Sequence, residues 1–242
     1  MLNSPRMQGV RQFFAWVKWN VLLRGIVGPH GMSAVSTSIP HGERTWEYPW
    51  VLKTVGSVGG SRLLDVGCGT VSVLPLWLSG LGYEVWGCDL RPTDREIAEV
   101  HFVQDDIVTT KAIPNGEFDI VTCISVIEHV GLRRYPGEKG KDVEFLASLE
   151  RFLAPSGRLL LTLPFGKAAW SGVESNRIDA CRIHDQESLT QLVKEAGFSV
   201  VQQDFACLKG GHWKPGTLPL ASSLSSEDQV RALCGLVLRR AD

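Results

Sequence analysis

An apolar segment runs straight into a glycine turn in the first third of this sequence. Residues 62–72 read Arg-Leu-Leu-Asp-Val-Gly-Cys-Gly-Thr-Val-Ser. The apolar residues at 63, 64 and 66 predict a buried strand, and Gly67 and Gly69 predict a tight turn that opens a helix. A turn without side chains lets a ligand approach the backbone, and the helix amino terminus behind it offers unpaired N–H groups. We therefore expect a ligand to bind at this turn.

The chain from residue 61 onwards alternates short β-branched segments with helix-like segments. This alternation is typical of a parallel sheet that helices cover on both faces, so we predict an α/β fold. Asp185 is the expected amino-terminal cap of the helix at 187–196. The other predicted helices are 43–55, 71–80 and 143–153, and the seven predicted strands are 62–66, 84–89, 101–104, 118–124, 158–163, 198–205 and 234–239.

Two carboxylates, Asp65 and Asp89, narrow the choice of ligand. A dinucleotide-binding turn carries a third glycine where Ser72 stands, and a carboxylate at Asp65 would repel a pyrophosphate. Both departures argue against a nicotinamide enzyme. An acid at this turn instead suits a ligand that presents an ammonium group beside an uncharged adenosine, and Asp89 is placed at the end of the second strand to hold ribose hydroxyls.

Five segments of the chain resemble the motifs of the class I S-adenosylmethionine-dependent methyltransferases. The first is Leu63-Leu64-Asp65-Val66-Gly67-Cys68-Gly69-Thr70, and the others are 87–90, 102–107, 118–129 and 153–161. They follow in the expected order across residues 61–165, which is far more specific than a single Gly-x-Gly. The resemblance implies a Rossmann-like, seven-stranded, mostly parallel sheet sandwiched by helices, with an antiparallel last strand. It also implies S-adenosylmethionine as the cofactor.

The resemblance assigns cofactor contacts to individual positions. It implies that the glycine turn and Asp65 line the methionine end and that Asp89 binds the ribose. Asp106, with the Ile107 backbone, is expected at the adenine edge, but Asp105 competes for this role. Strand alternation predicts that only one of these two acids faces the ligand. The full set of cofactor-binding candidates is Asp65, Gly67, Cys68, Gly69, Asp89, Leu90, Asp106, Ile107, Ile124 and Ser125.

Three side chains are candidates for the reacting side of the site. His129 follows the fourth strand and is the first candidate for a base or for a residue that orients the acceptor. The alternative is that Glu128 and His129 only shape the site, with Glu128 at a helix start. His184 is a second candidate base, and its alternative is a structural pair with Asp185 at the helix cap.

The acceptor is expected to meet loops at 130–142, 164–184 and 209–226. Long loops at the carboxyl edge of a sheet are commonly functional. Trp170 and Arg177 are candidates to receive an aromatic or anionic acceptor, with surface packing as the alternative. His212 or Trp213 is a weaker candidate to reach the same acceptor site. Over the methionine end, the resemblance places a helix with Arg44, Trp46 and Tyr48, although Trp46 and Trp50 at helical spacing equally fit a core.

The amino-terminal segment 1–42 contains basic residues but no acid, the first being Glu43. We predict a helical or lid segment here, followed by a methyltransferase domain at 43–242. Charges at 11, 18 and 24 interrupt the apolar run before it reaches the length of a transmembrane helix. Packing on the protein or on a second copy, weak membrane-surface contact through residues 11–27, and a cleaved transit segment are the open interpretations, so a homodimer is an option.

The remaining composition gives no reason to expect a charged partner or a disulfide framework. A net charge of -1 provides no overall attraction for nucleic acid or anionic lipid. Six cysteines are widely spaced without a Cys-x-x-Cys pair, so we expect reduced thiols in a cytoplasmic protein. We find no secretory leader and no cluster of acids for a metal.

The sequence therefore predicts a metal-independent methyltransferase that acts on an oxygen or nitrogen of a small molecule, such as a glycoside or natural-product intermediate. The segment Ser125-Val126-Ile127-Glu128 lacks the Pro-Pro-Tyr-type motif of enzymes that methylate nucleic-acid bases. An RNA methyltransferase stays open through the basic amino-terminal segment. A non-catalytic regulatory subunit that binds S-adenosylmethionine is the other alternative.

Overall fold

The computed structural model describes residues 42–56, 60–69, 73–93, 99–132, 141–167, 181–224 and 229–241, all within the unit Pro40–Asp242. The amino-terminal stretch 11–27, Trp170 and Arg177 lie outside the described residues, and the hypotheses about them stay predictions.

Within these described ranges, eight strands form one sheet in the order β3-β2-β1-β4-β5-β8-β6-β7. Neighbours from β3 to β5 are parallel, whereas β8 runs antiparallel to both β5 and β6. The predicted α/β class with a mostly parallel sheet and an antiparallel last strand is confirmed. The strands are β1 Arg62–Val66, β2 Glu84–Asp89, β3 Val100–Gln104, β4 Phe118–Ile124, β5 Leu153–Phe165, β6 Phe198–Lys209, β7 His212–Gly216 and β8 Ala232–Arg240.

The eighth strand is β7, which lies in the segment predicted as an acceptor loop at 209–226. It pairs antiparallel with the end of β6 through a turn at Gly210 and Gly211, both of which have positive φ. A glycine pair reaches these angles without strain, which closes the hairpin. His212 and Trp213 therefore lie in an edge strand instead of a free loop.

Five α-helices and two 3₁₀ turns connect the described strands. Asp185 caps α4 as predicted, because its Oδ1 accepts a hydrogen bond from Ser188 N and its own N–H donates to Ser188 Oγ. The predicted helix at 143–153 ends early, since a 3₁₀ turn leads into a longer β5. The helices are α1 Arg44–Val55, α2 Leu74–Gly80, α3 Lys141–Ser148, α4 Gln186–Glu195 and α5 Leu218–Ala221, and the 3₁₀ turns are Ile127–His129 and Leu149–Phe152.

Successive strand residues point to opposite faces of the sheet, and helices cover both faces. In β1, Leu63 packs with α1 and α2 on one face, and Leu64 packs with α3 and α4 on the other. None of the described helices combines the length and the apolar character that crossing a membrane requires. Because the central strands are parallel, their carboxyl ends meet at one edge of the sheet, where β1, β2 and β4 all end in loops.

Candidate functional site

A cavity of about 530 Å³ lies at the carboxyl ends of β1, β2 and β3. This volume falls within the range of about 300–1,000 Å³ that is usual for small-molecule sites. The opposite wall comes from the segment after β4 and from α3. Half of the sequence-predicted cofactor residues line the cavity, namely Gly67, Asp89, Leu90, Asp106 and Ile107.

The glycine turn after β1 has the backbone that the sequence predicted. Gly67 and Gly69 have φ of +69° and +75°, a region that residues with a side chain rarely adopt. The Gly67 N–H donates to the carbonyl of Cys88 at 2.7 Å, which ties the turn to the end of β2. A Cβ on Gly67 would lie 3.0 Å from Val126 Cγ1 and closer to Cγ2. The turn thus has no space for a side chain between β1 and the segment after β4.

Asp89 is buried at the end of β2, and its carboxylate accepts four hydrogen bonds. One comes from the Gly69 N–H at 2.8 Å. The others come from the backbone and guanidinium of Arg91, at 2.9 to 3.1 Å. Burial opposes ionisation of Asp89, but these hydrogen bonds outweigh it and lower its pKa. The acid predicted to hold the ribose is therefore ionised and currently paired with Arg91.

Asp65 is buried below the glycine turn and accepts a hydrogen bond of 2.7 Å from Thr122 Oγ1. Burial raises the pKa of Asp65 to about 7, although the Thr122 hydroxyl and the Arg44 charge act in the opposite direction. The carboxyl thus holds its proton below neutral pH, a property that the sequence argument for a fixed negative charge did not include.

Asp105 and Asp106 both line the cavity. Because β3 ends at Gln104, strand alternation does not continue into this turn, and which of the two acids faces the ligand stays a prediction. Each carboxylate accepts a backbone hydrogen bond within this turn, from the N–H of Asp106 and of Val108 respectively.

A buried acid on α1 was missed by sequence reasoning. Glu47 Oε1 accepts hydrogen bonds from Ser125 Oγ at 2.5 Å and from Thr162 Oγ1 at 2.6 Å, and Oε2 pairs with Arg44. Ser125 has φ of +49°, the only positive φ among the described non-glycine residues. Such a conformation persists only where neighbours hold it. The signal in the sequence was a glutamate between Trp46 and Trp50, on a helix face that is otherwise apolar.

The two tryptophans of α1 belong to the core. Trp46 and Trp50 stack with their ring centroids 5.8 Å apart. Both rings pack so closely against Gly235 of β8 that a Cβ at this position would contact them. Trp50 Nε1 also donates to Asp204 of β6 at 2.9 Å. Of the two interpretations of these residues, the structure supports packing against the antiparallel end of the sheet.

Glu128 and His129 lie in the 3₁₀ turn after β4. His129 is partly buried, with its Nε2 3.9 Å from Glu128 Oε1. Glu128 is 3% exposed, and its Oε2 has no hydrogen-bond partner. Burial raises the pKa of Glu128 to about 8. Glu128 lies in the first turn of this 3₁₀ segment, and its carboxyl group accepts a hydrogen bond from its own backbone N–H. This contact is consistent with the helix-start alternative.

His184 follows a short segment that packs against the end of β5. Its backbone bonds to Pro164 and Gly166, and the neighbouring Arg182 N–H donates to the Glu128 carbonyl. Both ring nitrogens of His184 are buried without a hydrogen-bond partner, and burial lowers its pKa. The Asp185 carboxylate caps α4 and interacts electrostatically with the His184 ring, without a hydrogen bond to it.

The site thus has two parts. The cavity joins the glycine turn, Asp89 and the turn at 105–109. Asp65, Ser125, Glu128 and His129 are near lining residues in the chain but do not line the cavity themselves. Cys68, Gly69, Ile124 and His184 are also absent from the cavity lining. No three His, Cys, Asp or Glu side chains in the described ranges are arranged to bind a metal ion.

Comparison with protein families gives a match to a methyltransferase domain over residues 49–203, more than half of the chain. A curated relative, the ubiquinone biosynthesis O-methyltransferase of Bordetella parapertussis, is 36% identical over 90 residues. That alignment covers 34% of this chain and 37% of the relative. The matched region therefore spans little more than a third of the relative's length.

Solved structures share the fold at low sequence identity. The Burkholderia thailandensis 1,6-didemethyltoxoflavin-N1-methyltransferase, solved with S-adenosylhomocysteine, has a TM-score of 0.59 at 16% identity, covering 93% of this chain and 90% of that chain. The [4+2]-cyclase SpnF has a TM-score of 0.54 at 16% identity, covering 84% of this chain and 85% of its own. These likenesses show the fold alone, since proteins of one fold host different reactions.

Proposed function

The chain belongs to the methyltransferase-domain family, as its five motifs predicted, and we propose that it transfers the methyl group of S-adenosylmethionine to an oxygen of a small molecule. The curated relatives that it resembles carry the name of O-methyltransferases, which supports oxygen over nitrogen as the accepting atom. The observation that carries the proposal is the cavity in which a narrow glycine turn, an ionised Asp89 and the acids after β3 meet.

The residues present fit an adenosine ligand with an amino-acid tail. Asp89 offers a carboxylate for ribose hydroxyls, and Asp106 and Ile107, the residues expected at the adenine edge, also line the cavity. Gly67 lines the cavity with a backbone that carries no side chain, so we expect the tail of the ligand to lie against it. Arg44 and Tyr48 on α1 are candidates to cover the methionine end.

When bound, S-adenosylmethionine supplies a methyl group on a positively charged sulfur, which an acceptor atom attacks in line. The chain's own contribution is mainly to hold the two reactants in that line. Proximity and orientation can supply about 7–11 kcal/mol of barrier reduction. We expect the glycine turn and Ser125, which is hydrogen-bonded to Glu47, to hold the cofactor, and the segments around 130–132 and 181–184 are candidates to position the acceptor.

An oxygen acceptor gains a further factor of about 10² to 10⁴ when a base removes its proton. We assign this role to His129, because it lies after β4 at the carboxyl edge of the sheet and is partly exposed. Glu128 Oε1 lies 3.9 Å from His129 Nε2, too far for a hydrogen bond, so we expect Glu128 to position the imidazole ring by electrostatic attraction. His184 is the second candidate, and burial lowers its pKa.

The test is a product-detecting screen of the purified protein with S-adenosylmethionine against phenols, glycosides, amines and tRNA. Formation of S-adenosylhomocysteine together with an O-methylated small molecule is the expected result. Methylated tRNA would favour the RNA alternative. Tight cofactor binding without turnover of any of these acceptor classes would favour a regulatory subunit. Cyclisation of a substrate without methyl transfer would favour a cyclase-like use of the fold.

Location and assembly belong to the same proposal. All six cysteines are free of disulfide bonds, and all except the half-buried Cys181 are buried. Free thiols of this kind support a reducing compartment such as the cytoplasm. A homodimer or a weak membrane-surface contact through residues 11–27 stays a prediction, to be checked by light scattering and by vesicle co-sedimentation.

A further inference from the structure

A buried cation, Arg182, lies in the segment that leads into α4, and we call residues 181–184 the strap. The strap is fixed against the end of β5, because the His184 N–H donates to the Pro164 carbonyl at 3.2 Å and the Gly166 N–H donates to the His184 carbonyl at 2.9 Å. Arg182 is only 7% exposed. A guanidinium so far removed from water is costly unless other groups satisfy its charge and its donors, so its partners indicate its role.

Arg182 is hydrogen-bonded to the turn that carries His129, on both sides of that residue. Its backbone N–H donates to the Glu128 carbonyl at 2.9 Å, and its guanidinium Nη1 donates to the Val130 carbonyl. Glu128 and Val130 directly precede and follow His129 in the chain. The 3₁₀ turn Ile127–His129 is only three residues long, and hydrogen bonds within such turns have poorer geometry than those of an α-helix. The strap therefore adds two contacts from outside the turn.

Asp142 on α3 holds the other side of the guanidinium. Arg182 Nε lies 3.6 Å from Asp142 Oδ2, and the Asp142 side chain is 14% exposed. This ion pair compensates the buried positive charge. Because the guanidinium is planar, its Nε and Nη1 donors keep a fixed geometry relative to each other. One side chain thus joins α3 to the turn after β4.

The position of this turn affects the proposed cofactor cavity. Val126 and Val130, on either side of the turn, both line the cavity. His129 lies between them in the chain, so the position of its ring relative to a bound cofactor follows the backbone at 127–130. A base has to approach the proton-bearing group to about 2.6–3.2 Å, and a displacement of about 1 Å can lower a rate about 100-fold.

We infer that Arg182 is a positioning residue that fixes the backbone of the His129 turn and thereby directs the His129 ring to the acceptor. This inference rests on the proposed function, in which His129 is the base. The five methyltransferase motifs end before Arg182, and the segment 164–184 was expected to meet the acceptor directly. Arg182 instead acts through the backbone on both sides of His129, without touching the reactants.

Hydrogen exchange of the full chain tests the structural part of this inference without an acceptor. The amides of His129, Val130 and Leu132 are hydrogen-bonded within the turn and its continuation. In Arg182→Gln, we expect these amides to exchange at least about tenfold faster, with a change below about twofold in β1 and β4. Unchanged exchange at 127–132 would overturn the inference.

A double-mutant cycle tests the catalytic part, with S-adenosylmethionine and a hydroxyl acceptor identified by the product screen. Arg182→Gln should lower the single-turnover rate about 10- to 100-fold, with the dissociation constant of S-adenosylmethionine within about threefold of the wild type. In the His129→Gln background, the same substitution should lower the rate less than about twofold, because the base is already absent. A purely structural role of Arg182 predicts an equal loss in both backgrounds, and that result would overturn the inference.

Arg240→Gln is the matched control, because Arg240 also pairs with an acid, Glu150, and donates to a backbone carbonyl, that of Leu153, outside the cavity lining. This variant should keep the wild-type exchange at 127–132 and the wild-type rate. Arg182→Lys keeps the charge but lacks the paired donors, so it should lie between the wild type and Arg182→Gln, and it decides the matter where Arg182→Gln fails to fold.

The inference and the proposed function fail in different ways. Methyl transfer by the wild type with equal losses in the two His129 backgrounds would overturn only the role of Arg182. Absence of methyl transfer to every acceptor class would overturn the proposed function, and the catalytic role of Arg182 with it.

Discussion

The carboxylate of Asp89 accepts a hydrogen bond of 2.8 Å from the backbone N–H of Gly69, 20 positions earlier in the chain. The end of β2 thus holds the turn at the end of β1 in place, so that one side chain supports the loop and also borders the cavity. This double role makes Asp89 more sensitive to substitution than its proposed ribose contact alone would.

Replacing Asp89 should weaken cofactor binding strongly. Hydrogen bonds to a charged group contribute about 1.5–3 kcal/mol each, so we expect Asp89→Ala to raise the dissociation constant of S-adenosylmethionine about 100-fold or more. Asp89→Asn should lose less, because it keeps one acceptor oxygen. Asp119→Asn, on β4 outside the cavity lining, is the control. A change below threefold in Asp89→Ala would contradict the assignment of the ribose site.

Arg91 competes with a ribose for the oxygens of Asp89. Its guanidinium donates to both, at 2.9 and 3.1 Å, and must release them when hydroxyl groups bind there. We expect Arg91→Ala to tighten S-adenosylmethionine binding about two- to fivefold, which calorimetry measures directly. Arg91→Lys keeps the charge but lacks the paired donors, so it should show an intermediate value. Weaker binding in Arg91→Ala would mean that Arg91 contacts the ligand.

Substitution of two glycines with similar backbone angles separates the effect of a positive φ from the effect of a steric clash. Gly67 and Gly116 have φ of +69° and +73°, but a Cβ on Gly67 meets Val126, whereas one on Gly116 meets nothing within 4 Å. Gly116→Ala should therefore cost only about 1–2 kcal/mol of unfolding free energy. Gly67→Ala should cost more and abolish cofactor binding, as measured by denaturant unfolding and calorimetry. Equal destabilisation by the two substitutions would refute this.

Adding Val126→Ala to Gly67→Ala provides the rescue experiment. Removing the side chain that the new Cβ meets should restore part of the unfolding free energy, while the strain of the positive φ persists. Additive effects of the two substitutions would show that the clash does not contribute.

His129 should affect turnover without affecting cofactor affinity. His129→Gln removes the proposed base, so we expect the single-turnover rate on a hydroxyl acceptor to fall about 10²- to 10⁴-fold at an unchanged dissociation constant for S-adenosylmethionine. His101→Gln is the control, because His101 stacks on Trp86, away from the cavity lining. A parallel loss of affinity and rate in His129→Gln would place this residue on the cofactor side.

Asp185 should stabilise the fold and not the cofactor site. Asp185→Ala removes the cap of α4, which typically costs about 1 kcal/mol, and Asp185→Asn should restore most of this loss. Denaturant unfolding measures the change, and calorimetry should show cofactor binding within twofold of the wild type. A large loss of binding would instead indicate that the acceptor segment beside His184 controls the cavity.

The sequence alone determined the α/β class and the glycine turn, because these depend on local signals, whereas the antiparallel last strand was expected from the family resemblance. Strand residues at 62–66 and 118–124, Gly67 and Gly69, and the cap at Asp185 each act within a few positions of the chain. Differences arose at the antiparallel end, where the hairpin at Gly210 and Gly211 interrupts a segment that reads as a loop.

Only the tertiary structure decided which groups are charged and which face the ligand. The sequence shows Glu47 on an apolar helix face but not its partners, because Ser125 and Thr162 reach it only when α1 lies against the ends of β4 and β5. The raised pKa values of Asp65 and Glu128 likewise come from burial by elements that are distant in the chain. The desolvation of a carboxyl group depends on all residues packed around it, whereas the sequence shows only its neighbours along the chain.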